Sequence, residues 1–171
     1  ILQIPEDSAS LPTAISESSH SKASEAERLK QTFIECFFDK KTGLFVDSTI
    51  SRHSSIHANA FAAFFNLAPE ENNIAALIMK KGLCCGVFVS YFVLYGLLRL
   101  GLPRAAYELI INKSEHSWYQ MLSEGATGAF EAWGKEQKWN TSLCHAWASA
   151  PIPVLTELEG MDYPFPSLTP L

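Results

Sequence analysis

Glu131 stands in a glycine- and alanine-rich stretch, Gly125-Ala-Thr-Gly-Ala-Phe-Glu131-Ala-Trp133-Gly134. A second stretch, Lys138-Trp139-Asn-Thr-Ser-Leu-Cys-His145-Ala-Trp147, follows closely. Together they gather one carboxylate, three indoles, one imidazole and several small residues. That mixture suits a sugar pocket. Indole faces stack on the C–H surface of a pyranose, polar tips bind its hydroxyls, and a carboxylate moves a proton or activates water. The small residues leave room for a ligand to approach the backbone. Glu131, set between Phe130 and Trp133, is expected to have its charged form desolvated and its pKa raised. On pattern alone, a surface Glu131, a core His145 and core indoles at Trp118, Trp133, Trp139 and Trp147 all remain open.

Other chemistry is poorly supported. His53 and His57 share the spacing of two ligands on one helix face, but Ser54 follows His53 where a zinc-protease helix needs Glu. Cys144-His145 are neighbours in sequence, whereas catalytic thiol and imidazole come from distant segments. Phe38-Asp39-Lys-Lys-Thr-Gly43-Leu-Phe-Val-Asp47 has lysines where a calcium loop needs oxygen ligands, so it is read as a solvated turn leading to a short extended segment. No metal and no cofactor are expected. Cys36, Cys84, Cys85 and Cys144 lack both a disulfide framework and a zinc spacing. They read as buried free thiols of a reducing compartment, which points to the cytoplasm.

The elements that must carry these residues follow from composition and periodicity. At 171 residues the chain can build one domain with a sizeable core. Its net charge of −5 and the lack of a basic cluster beyond Lys40-Lys41 and Lys80-Lys81 exclude a nucleic-acid partner. The chain begins with Ile, and no secretory-signal pattern is visible. Residues 1–22, rich in Ser and Pro, read as a poorly ordered lead-in. A first helix is expected near Ser24, with Leu29, Phe33, Ile34 and Phe37 at helical spacing. Further helices are predicted over His57 to Leu67, Glu70 to Lys81, Val87 to Leu100, Arg104 to Ile111 and Ser117 to Leu122. A last one runs from about Ala146, bent or shortened by Pro151 and Pro153. The uncharged run Gly82 to Leu98 has 17 residues, the lower edge of membrane-spanning length. Ser90, Tyr91 and Tyr95 inside it favour a buried inner helix over a membrane span. Helices repeatedly stopped by Gly or Pro suggest stacked helical hairpins.

At this point a resemblance becomes specific. Ser117-Trp-Tyr-Gln-Met-Leu122, Gly125-Ala-Thr with Phe130-Glu131-Ala-Trp133, and Ser142-Leu-Cys-His145-Ala-Trp147 resemble the C-terminal half of the catalytic domain of bacterial α-L-rhamnosidases, glycoside hydrolase family 78. Phe38 to Phe45, His57-Ala-Asn-Ala-Phe-Ala62 and Gly86 to Leu94 fit in the same order. The resemblance covers roughly residues 25–158. It implies an all-α fold, a partial (α/α)6 barrel of helical hairpins, and inverting hydrolysis of terminal α-L-rhamnosides. It assigns the general base to Glu131, with Phe130 replacing the usual Trp, and sugar binding to His145. Trp133 and Trp139 are the bets for the aromatic wall.

Two departures matter. The family's acid motif, rich in Asp, Arg and Glu, has no match in residues 1–24, and the chain holds only four aspartates. A full barrel also needs about twelve helices, and six or seven are predicted. The expectation is a fragment: a lead-in over 1–22, a partial catalytic domain over 23–158 and an irregular tail over 159–171. It carries the base half of the site and is inactive alone. Its partners are a rhamnoside and, through exposed inner helices, a second copy or the missing half-barrel. The alternative is a non-catalytic helical sugar-binding or interaction module.

Overall fold

The computed structural model describes residues 14–161 and 163–165, with side chains from residue 22 onward. Residues 1–13 of the expected lead-in, and residues 162 and 166–171 of the expected tail, lie outside the described residues. The chain divides into two units, Ile1–Cys36 and Phe37–Leu171.

The fold is all-α. Helix α1, Ala14–Phe37, begins upstream of the predicted Ser24 start. Within the first unit its turns are stitched by polar side chains: Arg28 donates twice to Glu25, and Gln31 donates to Glu27. These are exposed pairs at helical spacing, each worth a few tenths of a kcal/mol.

The second unit opens with a two-stranded antiparallel ribbon, β1 Phe38–Asp39 and β2 Leu44–Phe45, with Phe38 opposite Phe45. Its turn closes through Gly43 at φ +67°, a left-handed conformation that favours glycine. Then come α2 Ile56–Phe64, α3 Ile74–Lys81, α4 Val87–Arg99, α5 Pro103–Ile110, α6 Trp118–Ser123 and α7 Pro151–Gly160. Helix α3 starts later than predicted. Asn72 turns back to accept from the Ile74 N–H, and Asn73 donates to Thr42 O, so this stretch docks on the ribbon turn instead of continuing the helix. The last helix is also delayed. A 3-10 turn occupies Ala146–Ala148, and Pro151 and Pro153 fall in the first turn of α7, where proline costs little.

Helix α4 is the centre of the unit and packs on α2, α5 and α7. Val93, Leu94 and Leu97 are fully buried, each contributing about 1.5–3 kcal/mol of hydrophobic stabilisation. Gly96 lets α2 come close, since a methyl there would meet Ala63 Cβ at 3.1 Å and Ala60 O at 3.2 Å. The all-round burial expected of α4 is not observed. Phe88 is exposed, and Tyr91, Phe92 and Tyr95 are half-buried on an aromatic flank. No helix among the described residues is long and apolar enough to cross a membrane.

Polar side chains fix the segment ahead of α2. Asn59, wholly buried, accepts from the Phe45 N–H at 2.9 Å and donates to Phe45 O at 3.0 Å and Ser55 O at 2.8 Å. Ser55 caps α2 by accepting from the Ala58 N–H. Asp47 holds the Ser55 N–H and the His53 ring, so His53 pairs with Asp47 and not with His57. The His53 contact, followed by the Ser55 backbone bond, draws the Asp47 carboxyl down from 3.8 to about 2, against the opposing effect of burial. A depressed carboxylate contributes stability that is full above its unfolded pKa and lost as pH falls through the folded one. Because the pair is largely exposed, Asp47→Asn is expected to cost only about 1 kcal/mol at neutral pH. The gap from wild type should close between pH 4 and pH 2. Urea unfolding at pH 6 and pH 2.5 checks this, and a gap constant with pH contradicts it.

Candidate functional site

The segment around Glu131 is built by two strands of loop lying side by side. The His145 N–H donates to Ala129 O at 2.7 Å, and the Glu131 N–H donates to Ser142 O at 2.8 Å. The connection between them passes through a 3-10 turn, Lys135–Gln137. Helix α6, started by the buried Ser117 cap on the Gln120 N–H, anchors this loop from the other side. Glu124 just past its end accepts from the Lys135 N–H at 2.7 Å and from Gln120. Gly134 makes room for that carboxylate, since a Cβ would stand 2.8 Å from Glu124 Oε1.

Two indoles tie the loop to the core. Trp133 is 2% exposed and donates its Nε1–H to Cys85 O at 2.7 Å. Trp118 meets its ring edge-on at 5.0 Å and donates to Ala148 O at 2.7 Å. Trp133 is therefore a core residue, while Trp139 is 95% exposed to solvent. Of the four expected site residues, the loop pairing brings together Glu131 and His145. Of the two indoles, Trp133 is sealed in the core and Trp139 stands in solvent.

The aromatic surface next to His145 has another origin. The His145 ring lies 4.0 Å from that of Trp147, which in turn lies 5.6 Å from Phe88. Trp147, Phe88, Tyr91, Phe92 and Pro153 line a cleft of about 380 Å³. Sequence reasoning missed this wall. The signal was present, because Phe88, Tyr91, Phe92 and Tyr95 repeat at the spacing of one helix face. They fell within a run read as wholly buried.

The electrostatics of Glu131 reverse the expectation. Its side chain is 16% exposed, yet Oε1 accepts from Lys138 Nζ at 2.5 Å and Oε2 from the Ser142 N–H at 3.0 Å. The Lys138 contact, then the Ser142 bond, hold its carboxyl below the usual range, outweighing desolvation; the nearby His145 acts in the same direction. The raised pKa expected from aromatic neighbours is overturned by a cation seven residues along the chain. Lys138 and Ser142 are thus site residues that the sequence reading passed over.

The thiols also differ from expectation. Only Cys85 is buried, its thiol pushed up to about 12 by that burial and by Cys84 beside it, while Cys36, Cys84 and Cys144 are exposed. Among the described residues, no group of three or more His, Cys, Asp or Glu side chains could hold a metal ion.

The arrangement can hold a carboxylate ionised, present an imidazole near it, and offer an aromatic cleft that the imidazole meets through Trp147. Neither a curated protein nor a solved structure matches the chain significantly. One family model does, over residues 7–157: the bacterial alpha-L-rhamnosidase 6 hairpin glycosidase domain.

Proposed function

Because the chain belongs to the bacterial alpha-L-rhamnosidase six-hairpin glycosidase domain family, we propose that it carries the base side of an inverting site for terminal α-L-rhamnosides. The family makes it a glycoside-hydrolase-like module with a carbohydrate ligand. The observation that carries the finer reading is the pairing of 129–131 with 142–145, which sets Glu131 and His145 on adjacent strands of one loop. Glu131, held as a carboxylate, is in the form a general base needs, and its lowered pKa makes it unsuited to give a proton. His145 and Trp147 supply the sugar's polar and stacking contacts. Trp133 serves by holding the loop.

An inverting site needs a carboxylic acid about 6.5–9.5 Å from the base to protonate the leaving oxygen. The groups that set the charge of Glu131 are Lys138, Ser142 and His145, and the family's acid motif has no match in residues 1–24. We assign the acid to a second copy or partner half docking on this one. The chain alone is then inactive on ordinary rhamnosides.

Leaving-group chemistry tests this directly. A 2,4-dinitrophenolate departs without protonation, so a site with only its base still hydrolyses the dinitrophenyl α-L-rhamnoside and leaves the methyl rhamnoside intact. Glu131→Gln is expected to reduce that hydrolysis by at least about 10²-fold. Hydrolysis indifferent to Glu131→Gln, or none with either substrate, contradicts the base assignment. Rhamnose binding without any turnover favours the sugar-binding module, a reading that the ion-paired Glu131 also supports.

A further inference from the structure

Resting on the reading of Glu131 as base, we propose that Lys138 is its positioning residue, gripping Oε1 while the Ser142 N–H holds Oε2, so that the carboxylate is fixed in place and kept anionic. Three contacts converge on this one residue. The Glu131 N–H is spent on Ser142 O, Oε2 on the Ser142 N–H, and Oε1 on the Lys138 ammonium. The side chain cannot rotate without breaking two of them.

Lys138 is itself held. Its carbonyl accepts from the Thr141 N–H at 3.1 Å and from Thr141 Oγ1 at 2.7 Å, which fixes the turn from which its ammonium reaches back. Exposed lysine–carboxylate pairs usually contribute little. Here the lysine is half-exposed but its partner is not, with 43% and 16% of the two side chains open to water. Charge at short range therefore acts on a partly desolvated carboxylate, where screening is weaker.

No other cation in the loop takes this place. Lys135 donates its ammonium to Glu124 O and its backbone N–H to Glu124 Oε2, and it lies over the Phe130 ring. Besides Lys138, His145 acts on the Glu131 charge, from the opposite side of the loop pairing. His145 is shared with the proposed sugar contacts, so it changes surroundings when ligand binds. Lys138 remains as the constant partner.

The division of labour has a consequence for pH. With Lys138 in place Glu131 stays ionised at lower pH than it would alone. Without it, desolvation is left opposed only by the Ser142 amide and His145, and the group takes up its proton at higher pH.

The test is carbon-13 NMR titration of the Glu131 carboxyl in the full chain, comparing wild type with Lys138→Met and Lys138→Arg. Methionine keeps most of the length of the side chain and removes the charge; arginine keeps the charge. The Glu131 midpoint is expected to move up in Lys138→Met and to stay low in Lys138→Arg. In dinitrophenyl rhamnoside hydrolysis, the acidic limb of the pH profile should move up in Lys138→Met by the same interval. A Met variant that titrates with wild type, or an Arg variant that rises with the Met variant, overturns the proposal. If the titration behaves as expected while no rhamnoside is turned over, Glu131 is not the base. That failure belongs to the functional reading, because the titration reports the Lys138 coupling without any substrate.

Discussion

Trp133→Ala is expected to destabilise the second unit by about 3–5 kcal/mol, the range for removing a large aromatic side chain from a core. The indole is 2% exposed, meets Trp118 edge-on, and satisfies Cys85 O. Alanine removes the packing and also leaves that carbonyl without its donor, which adds about 1–3 kcal/mol where water cannot replace it. Against a total stability of about 5–15 kcal/mol for a domain, this is enough to populate unfolded chain at room temperature. Trp133→Phe keeps a six-membered ring but loses the N–H together with part of the indole, with an expected cost of about 1–3 kcal/mol, below that of alanine. Urea unfolding followed by circular dichroism measures both. If alanine shifts the midpoint no more than phenylalanine does, the indole is not the tether described above.

Asn59→Ala carries the next largest effect, about 2–4 kcal/mol, from two buried hydrogen bonds and one part-buried one lost together. Asn59→Asp discriminates the mechanism. The aspartate keeps an acceptor for the Phe45 N–H but turns the donor that served Phe45 O and Ser55 O into a second acceptor. At neutral pH it is expected to be at least as damaging as alanine. Acidification should restore part of the loss, because a protonated carboxyl regains one donor. The same unfolding measurement at pH 7 and pH 4 reads this, and an Asp variant as stable as wild type at pH 7 refutes the assignment.

Much of the helical frame was legible because its signals are local. Val87 follows Gly86, and Leu100 precedes Gly101 and Pro103, so α4 and α5 were predicted within a residue of their observed limits. Helix α3 was misjudged because Asn72 and Asn73 bond to the turn and ribbon around them, and such side-chain bonds leave no periodicity. The site divides in the same way. Glu131 and His145 could be singled out by residue type and by the Phe130 to Trp133 and Ser142 to Trp147 segments. The sign of the Glu131 shift could not, because it depends on where the loop returns Lys138 in space. Trp133 and Trp139 are identical side chains six positions apart, one sealed in the core and one open to solvent. Their separation is set by the 3-10 turn between them, and nothing in the residue type distinguishes them.

The Asn59 amide has one more effect, on how the ribbon meets other chains. A short ribbon ordinarily presents the outward N–H and C=O groups of its last strand as a template on which a foreign strand can assemble. In β2 both of these groups at Phe45 are already engaged by a side chain from α2. Asn59 therefore acts as a one-residue third strand, and the exposed edge offers no backbone for β-addition or fibril seeding at that position.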